Sequence, residues 1–195
     1  MKQFLILFIF LFNAVFAVTP PSDKARGMFL TLGVGPKTPV GAFSNSSMIG
    51  SGVNAELDYT DNEYLPLFVF GKIEFLHFPG SQEFYQSSEY SHFSTNILPL
   101  TVGGRYYFYP MLENVVILLP FLEASAHFAI FQKLHQFKLS TNLPSYLEDN
   151  IKLGFSVGGG VSMFLMEMYA SYTYFKSNQY IGLDFRFRLP MSITI

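Results

Sequence analysis

The chain of 195 residues contains no cysteine and no tryptophan, and only 13% of its residues are charged. Without cysteine it can form neither a disulfide framework nor a thiolate metal site. Its formal net charge is −2 with no block of basic residues, so we expect no nucleic acid partner. We expect no cofactor either, because the glycine run at residues 158–160 continues as strand-like sequence, whereas a phosphate-binding loop opens a helix.

Half of the chain is apolar, yet after residue 17 no apolar run is long enough for a transmembrane helix. At the start, Lys2 precedes an unbroken apolar segment over residues 4–12, and Val15-Phe16-Ala17 offers small residues just before a candidate cleavage position. This pattern predicts a secretory signal peptide over residues 1–17, cleaved after Ala17, and a mature domain over residues 18–195. An N-terminal membrane anchor is the alternative, although a spanning helix needs about 20 residues.

The C-terminal stretch, residues 181–195, alternates apolar and polar positions throughout. Successive side chains of a strand point to opposite faces, so the pattern predicts one strand with an apolar and a polar face. Its charged residues, Asp184, Arg186 and Arg188, all fall on the polar face. A strand of this length exceeds the usual 5–6 residues or so and suffices for the roughly 9–11 that cross a bilayer. The pattern indicates a wall between lipid and a polar lumen.

The same alternation recurs along the rest of the mature chain. It predicts eight strands, at residues 26–35, 48–60, 65–78, 95–109, 115–130, 150–163, 166–174 and 181–195. The fold class is therefore predicted to be all-β, an eight-stranded antiparallel up-and-down transmembrane β-barrel.

The predicted connections alternate in length. Those at residues 61–64, 110–114 and 164–165 are short, whereas those at 36–47, 79–94 and 131–147 are long. On the side of the long connections, only the one at residues 176–179 is short. Short periplasmic turns and long extracellular loops are expected of an outer-membrane barrel. Aromatic girdles are expected at both interfaces: Tyr59, Tyr64, Phe108 and Tyr109 on the periplasmic side, and Phe78, Phe128, Tyr172, Tyr174 and Tyr180 on the outer side.

The polar faces would collect nearly equal numbers of acidic and basic side chains in the lumen: Glu56, Asp58, Glu74, Glu123, Glu167 and Asp184 against Lys72, Arg105, Lys152, Arg186 and Arg188, with His127 nearby. An eight-stranded barrel is just wide enough for side chains to fill it, and unpaired charges there would be costly. We therefore predict a network of arginine–carboxylate pairs that plugs the lumen. A catalytic or ion-conducting cluster of the same residues is the alternative.

Three segments carry a family resemblance: residues 102–108 (VGGRYYF), 120–124 (PFLEA) and 154–161 (GFSVGGGV). In these, and along essentially the whole mature sequence, the chain resembles the OmpA-type eight-stranded outer-membrane β-barrel superfamily. The resemblance implies a protein of the outer membrane of a Gram-negative bacterium, in contact with outer-membrane lipids and lipopolysaccharide. It implies assembly by periplasmic chaperones and the barrel-assembly machinery. Family roles include adhesion, envelope stability and defence against complement, and the fold does not choose among them.

We expect a monomeric, non-enzymatic barrel with a structural or surface-interaction role. Any surface ligand would contact residues of the outer loops, namely Tyr85, Tyr90, His92, Phe93, His135 and Phe137. The loops could equally well only cap the barrel.

Two other functions are left open. The triplet His92-Phe93-Ser94 is similar to the His-x-Ser element of lipid A deacylases, which would make His92 and Ser94 catalytic, but the sequence assigns no partner carboxylate. A secreted lipocalin-like carrier is the third possibility, and in that fold the apolar faces would point inward and the charges outward.

Overall fold

The computed structural model describes residues 26–61, 65–111, 118–141 and 143–194, so the predicted signal peptide lies outside the described residues. Eight strands follow one another: β1 (Arg26–Val40), β2 (Gly50–Asp61), β3 (Leu65–Pro79), β4 (Tyr90–Tyr107), β5 (Leu118–Phe137), β6 (Tyr146–Met163), β7 (Met166–Phe175) and β8 (Asn178–Thr194). A short helix, α1 (Gln82–Ser87), lies between β3 and β4, and 3-10 turns lie at Gly41–Asn45 and Leu139–Thr141. Among the described residues, no helix has the length and apolar character that a membrane span requires.

Each strand pairs antiparallel with the next one, and β1 pairs with β8, which closes the barrel. The predicted all-β, eight-stranded up-and-down fold is confirmed, and each predicted segment corresponds to one observed strand. β4, β5 and β6 are longer than predicted because their pairing continues through Tyr90–Phe137 and His135–Tyr146. β7 has only 10 residues whereas β5 has 20, so the extracellular rim is high along β4–β6 and low at the β7–β8 turn.

The apolar faces of the strands point outward. Leu57 and Val102 are 51% and 66% exposed, whereas Glu56 and Arg105 on the opposite parity are buried. This orientation overturns the lipocalin-like alternative, in which the apolar residues would face the interior. An apolar outer wall and a charged interior are the arrangement of a transmembrane barrel.

The predicted alternation of the last strand is wrong near its end. It holds over residues 181–189, but Pro190 and Met191 are both exposed. The pairing of β8 with β1 shifts by one residue between Met28 and Phe29, which leaves Met191 as an extra residue on β8. A β-bulge of this kind breaks the two-residue period locally, and Pro190 has no N–H for the ladder.

The predicted girdles need one correction. Tyr59, Phe108, Tyr109, Phe128, Tyr172 and Tyr174 lie on the outer surface, as predicted. Phe78 and Tyr180, however, are 0% and 2% exposed and lie inside the barrel. Phe78 shares the parity of Lys72 and Glu74, so β3 directs all three inward. Tyr64, assigned to the periplasmic girdle, lies outside the described residues.

Candidate functional site

The centre of the lumen is built around Arg105 of β4. Its Nε and Nη2 atoms donate to Glu123 Oε2 on β5 at 3.0 and 2.8 Å. Its Nη1 atom donates to Asp58 Oδ1 on β2 at 3.0 Å, and Nη2 also donates to Glu56. All four side chains are buried, so one guanidinium joins three carboxylates inside the barrel.

Two arginines of β8 complete this cluster. Arg186 Nη1 donates to Glu123 Oε2 at 2.8 Å, and its guanidinium lies 3.9 Å from the ring centroid of Tyr169. Arg188 Nη1 lies 3.1 Å from Glu167 Oε1, which also accepts a hydrogen bond from the Tyr107 hydroxyl at 2.7 Å. The two arginines both reach the lumen because they are two residues apart on one strand.

A second ion cluster lies farther toward the extracellular end. Lys37 Nζ lies 2.9 Å from Glu74 Oε1 and 2.8 Å from both carboxylate oxygens of Asp184. Sequence reasoning misses Lys37, because Pro36 and Pro39 favour a loop and the predicted first strand ends at residue 35. The signal was present: Lys37 keeps the parity of Thr31 and Gly35, both of which face inward.

The structure does not gather all the predicted residues into one network. Lys152 joins neither cluster: its Nζ donates to the Lys176 carbonyl at 3.0 Å and lies 4.8 Å from the ring of Phe131, at the extracellular mouth. Lys72 is buried with its ammonium 6.0 Å from the Phe70 ring, and no described carboxylate forms an ion pair with it.

His127 lies in a patch of hydroxyl groups. Its Nδ1 atom is 2.7 Å from Thr101 Oγ1, and its Nε2 atom is 3.4 Å from Ser125 Oγ. Ser125 in turn contacts Ser156 Oγ at 2.7 Å. Because His127 is buried on the inner face of the wall among these hydroxyl groups, it is part of the packing of the lumen.

Aromatic layers lie on both sides of the ion clusters. The inward residues of β3 show this order of layers from the periplasmic to the extracellular side: Phe68, Phe70, Lys72, Glu74, Leu76 and Phe78. The extracellular layer consists of Phe43, Leu76, Phe78, Ile97, Ala129, Phe131, Phe175 and Tyr180. Phe43 reaches it from the 3-10 turn after β1 and packs against Phe78 with ring centroids 4.9 Å apart. On the periplasmic side, neighbouring rings of Phe68, Tyr107 and Phe121 lie 5.0 and 5.3 Å apart.

The extensions of β4, β5 and β6, together with α1, form an extracellular platform. The Tyr85 hydroxyl donates to the Phe93 carbonyl at 2.8 Å and accepts from the Phe93 N–H at 3.1 Å, so it takes the place of a neighbouring strand. Lys138, from the β5–β6 loop, donates to the carbonyls of Tyr85 and Ser88 at 3.0 and 2.7 Å. The β3–β4 and β5–β6 loops are therefore joined into one unit.

Aromatic stacking supports the platform. The rings of Tyr90 and Phe137 stack at 4.7 Å, and those of His135 and Tyr146 at 4.5 Å. Glu148 lies 3.2 Å from Lys133 Nζ and 3.1 Å from His135 Nε2. The continuous outward apolar residues of β5 and β6 are interrupted by the pair Gln132 and Asp149 after Ile130 and Ile151, and Glu148 and its partners lie beyond this interruption. There the hydrogen bond from Lys133 lowers the pKa of Glu148, and the hydrogen bond from His135 acts in the same direction.

The structure does not bring the predicted catalytic pair together. His92 is exposed with its ring 6.2 Å from that of Tyr85, whereas Ser94 is buried. Within the described part of the chain, no hydrogen bond joins His92 to Ser94 or either of them to a carboxylate. A nucleophile and base need such contact, so the geometry gives the lipid A enzyme alternative no support.

Comparison with known proteins gives structural matches only. No family model matches the chain, and no curated protein matches it. Neisserial surface protein A matches with a TM-score of 0.52 and 13% identity, over 86% of this chain and 99% of that protein. The chain has the OmpA-like eight-stranded outer-membrane barrel fold.

Two further barrels match the chain with lower TM-scores. Ail, the attachment invasion locus protein of Yersinia pestis, has a TM-score of 0.45 at 12% identity, over 86% of this chain and 99% of that one. The N-terminal β-barrel domain of Pseudomonas aeruginosa OprF has a TM-score of 0.44 at 13% identity, over 85% of this chain and 99% of that one.

Proposed function

We propose that this chain is a non-enzymatic, monomeric integral protein of the outer membrane that acts through its extracellular surface. The observation that carries the proposal is the filled lumen, in which aromatic layers enclose two ion clusters. An interior of eight strands leaves no aqueous channel once large side chains fill it. Transport through the barrel is therefore not its function.

The charged clusters act as the polar part of this plug. Arg105, Arg186 and Lys37 each bridge carboxylates from different strands, so they join strands that are not neighbours in the barrel wall. Charges held this way in a confined interior are costly to separate, since each carboxylate would be left without its partner. The plug is thus a stabilising device.

The outer membrane is the location that the exposed wall favours, because an apolar surface of this extent needs lipid around it. We propose export by a signal peptide over residues 1–17, cleaved after Ala17. Assembly would require the periplasmic chaperones and the barrel-assembly machinery, and the finished protein would contact outer-membrane lipids and lipopolysaccharide.

The platform is the part through which the protein would meet a partner. It stands above the apolar belt and is held rigid by Tyr85 and Lys138. Its tip carries exposed apolar residues: Leu139 is 99% exposed, and Leu143 and Tyr146 are about half exposed. Large apolar side chains displayed on a rigid support are typical of interaction surfaces.

Two measurements test the proposal. The purified protein, reconstituted in planar bilayers, should give no steady conductance, and stable porin-sized conductance would overturn the closed lumen. Exchange of residues 80–89 and 138–145 for short turns should lower adhesion of expressing cells to epithelial monolayers, at unchanged barrel content of the membrane. Unchanged adhesion would overturn the surface role and leave a purely structural barrel.

A further inference from the structure

A groove with a volume of about 670 Å³ lies on the outer, lipid-facing surface of the wall. Its floor is the backbone of Glu56, Lys72, Thr101 and His127, which stand opposite one another in the strand register. The side chains of these four residues are buried on the inner face. The groove is therefore separate from the lumen and its ion clusters.

Small residues open the groove along one of its sides. Gly71 and Ala126 flank Val102 on this side, and Ile73, Leu100 and Phe128 form the opposite side. No atom lies within 4 Å of the position that a Cβ atom of Gly71 would take, so this glycine faces open space. Larger side chains on the neighbouring strands turn that space into a depression with two walls.

We propose that this groove binds one fatty acyl chain of a membrane lipid, preferentially over the loosely associated lipid around the rest of the barrel. The proposal rests on the proposed membrane location. The groove is continuous with the lipid-facing surface, since Leu57 and Val102, which line it, are more than half exposed. Its lining is hydrocarbon side chains and paired backbone, with no charged side chain turned outward to hold a headgroup.

The length of the groove favours an unbranched acyl chain as its occupant. It runs from Leu30 on β1 to Leu153 on β6, and strands about 4.8 Å apart give it a length of roughly 24 Å. Strands of such barrels are tilted by about 35–45°, so a groove across them is inclined to the membrane normal. An acyl chain in the groove contacts its floor and both of its walls. The summed dispersion contacts bind this acyl chain more tightly than lipid at a flat part of the barrel wall.

The first experiment counts retained lipid. The full-length protein is purified from phospholipid vesicles in mild detergent and analysed by native mass spectrometry. We expect one phospholipid on most parent barrels and an at least tenfold lower bound fraction in Gly71→Leu, which fills the groove. Ala170→Leu, which adds three side-chain carbons where Gly71→Leu adds four, enlarges an exposed site on β7; it is the control and should retain the lipid.

The second experiment tests the membrane location independently. Since the chain has no tryptophan, Phe185→Trp on β8 is a unique fluorophore on the lipid-facing wall. Brominated phosphatidylcholine should quench it, and absence of quenching would overturn the membrane location itself. Suppose that the fluorescence of Phe185→Trp is quenched. The groove proposal alone then fails if Gly71→Leu retains as much lipid as the parent, or if the parent retains no lipid. If the parent protein is a dimer and the Gly71→Leu variant is a monomer, the groove is occupied by a second copy of the protein. That result would also overturn the acyl-chain proposal.

Discussion

Arg105 and Glu123 stand directly opposite each other on β4 and β5 and share two hydrogen bonds of 3.0 and 2.8 Å. The same oxygen of Glu123 accepts a third hydrogen bond from Arg186 of β8 at 2.8 Å. One carboxylate oxygen thus lies between two guanidinium groups, and these groups carry the pairing on to the carboxylates of β2. This relationship makes the interior interdependent, because Arg105 is the guanidinium that Glu56, Asp58 and Glu123 share.

Removal of Arg105 should be strongly destabilising. Arg105→Ala leaves Glu56, Asp58 and Glu123 without their central cation, and breaking a buried pair costs about 3–5 kcal/mol. Urea unfolding of the reconstituted barrel measures the loss. Lys176→Ala, at an exposed turn, is the control and should change stability by no more than about 0.5 kcal/mol. Equal stabilities of the two variants would mean that water screens the cluster.

A charge on the outer wall should oppose insertion. Phe155 is half exposed on the lipid-facing side of β6, and Phe155→Arg should cost about 2–4 kcal/mol near the bilayer midplane. Folding titrations into phospholipid vesicles measure this cost. Leu139→Arg, at the tip of the platform, should fold like the parent, because that residue is outside the apolar belt. Ready insertion of Phe155→Arg would invert the assignment of inner and outer faces.

The hydroxyl of Tyr85 should hold α1 against the barrel. Tyr85→Phe removes two hydrogen bonds to Phe93, each worth about 0.5–1.5 kcal/mol, but leaves the ring packing intact. The two bonds together are worth about 1–3 kcal/mol, so local opening should become about 5–150-fold more frequent. Protease cleavage at residues 81–89 on intact cells reports this opening. Tyr109→Phe should leave cleavage unchanged, and so should Tyr85→Phe if the helix is held by packing alone.

Acid should loosen the platform. The pKa of Glu148 is lowered from its ordinary value of 4.5, chiefly by the hydrogen bond from Lys133, so folding favours the ionised form. A lowered folded-state pKa gives stabilisation that is complete above the unfolded value and is lost as the pH falls through the folded value. The protection factors of residues 133–148 in hydrogen exchange, which correct for the slower intrinsic exchange in acid, should therefore fall below about pH 4.5. Glu148→Gln should remove this pH dependence, and a persisting dependence would assign it to another group.

Within an unbroken strand, the two-residue period predicts the face that a residue occupies; Phe78 and Tyr180 were assigned to the wrong face because their place in this period was not used. Arg186 and Arg188, or Glu56 and Asp58, are two residues apart on one strand, so alternation places each pair on a common face whatever the rest of the chain does. The same reasoning predicted the eight strands and their antiparallel order. It failed at the bulge beside Met191, where the two-residue period is broken. It also failed at Pro36 and Pro39, which favoured a loop where the strand that carries Lys37 continues.

What the sequence by itself determined is thus the fold and which side chains face the lumen or the lipid, because both follow from a two-residue period within each strand. Only the tertiary structure decided which charges meet. Lys37 and Asp184 are 147 residues apart and come together through the closure of β1 on β8. The groove beside Gly71 was likewise decided by tertiary structure, because its walls come from neighbouring strands aligned by register. Register is a relation between strands, and no single stretch of sequence contains it.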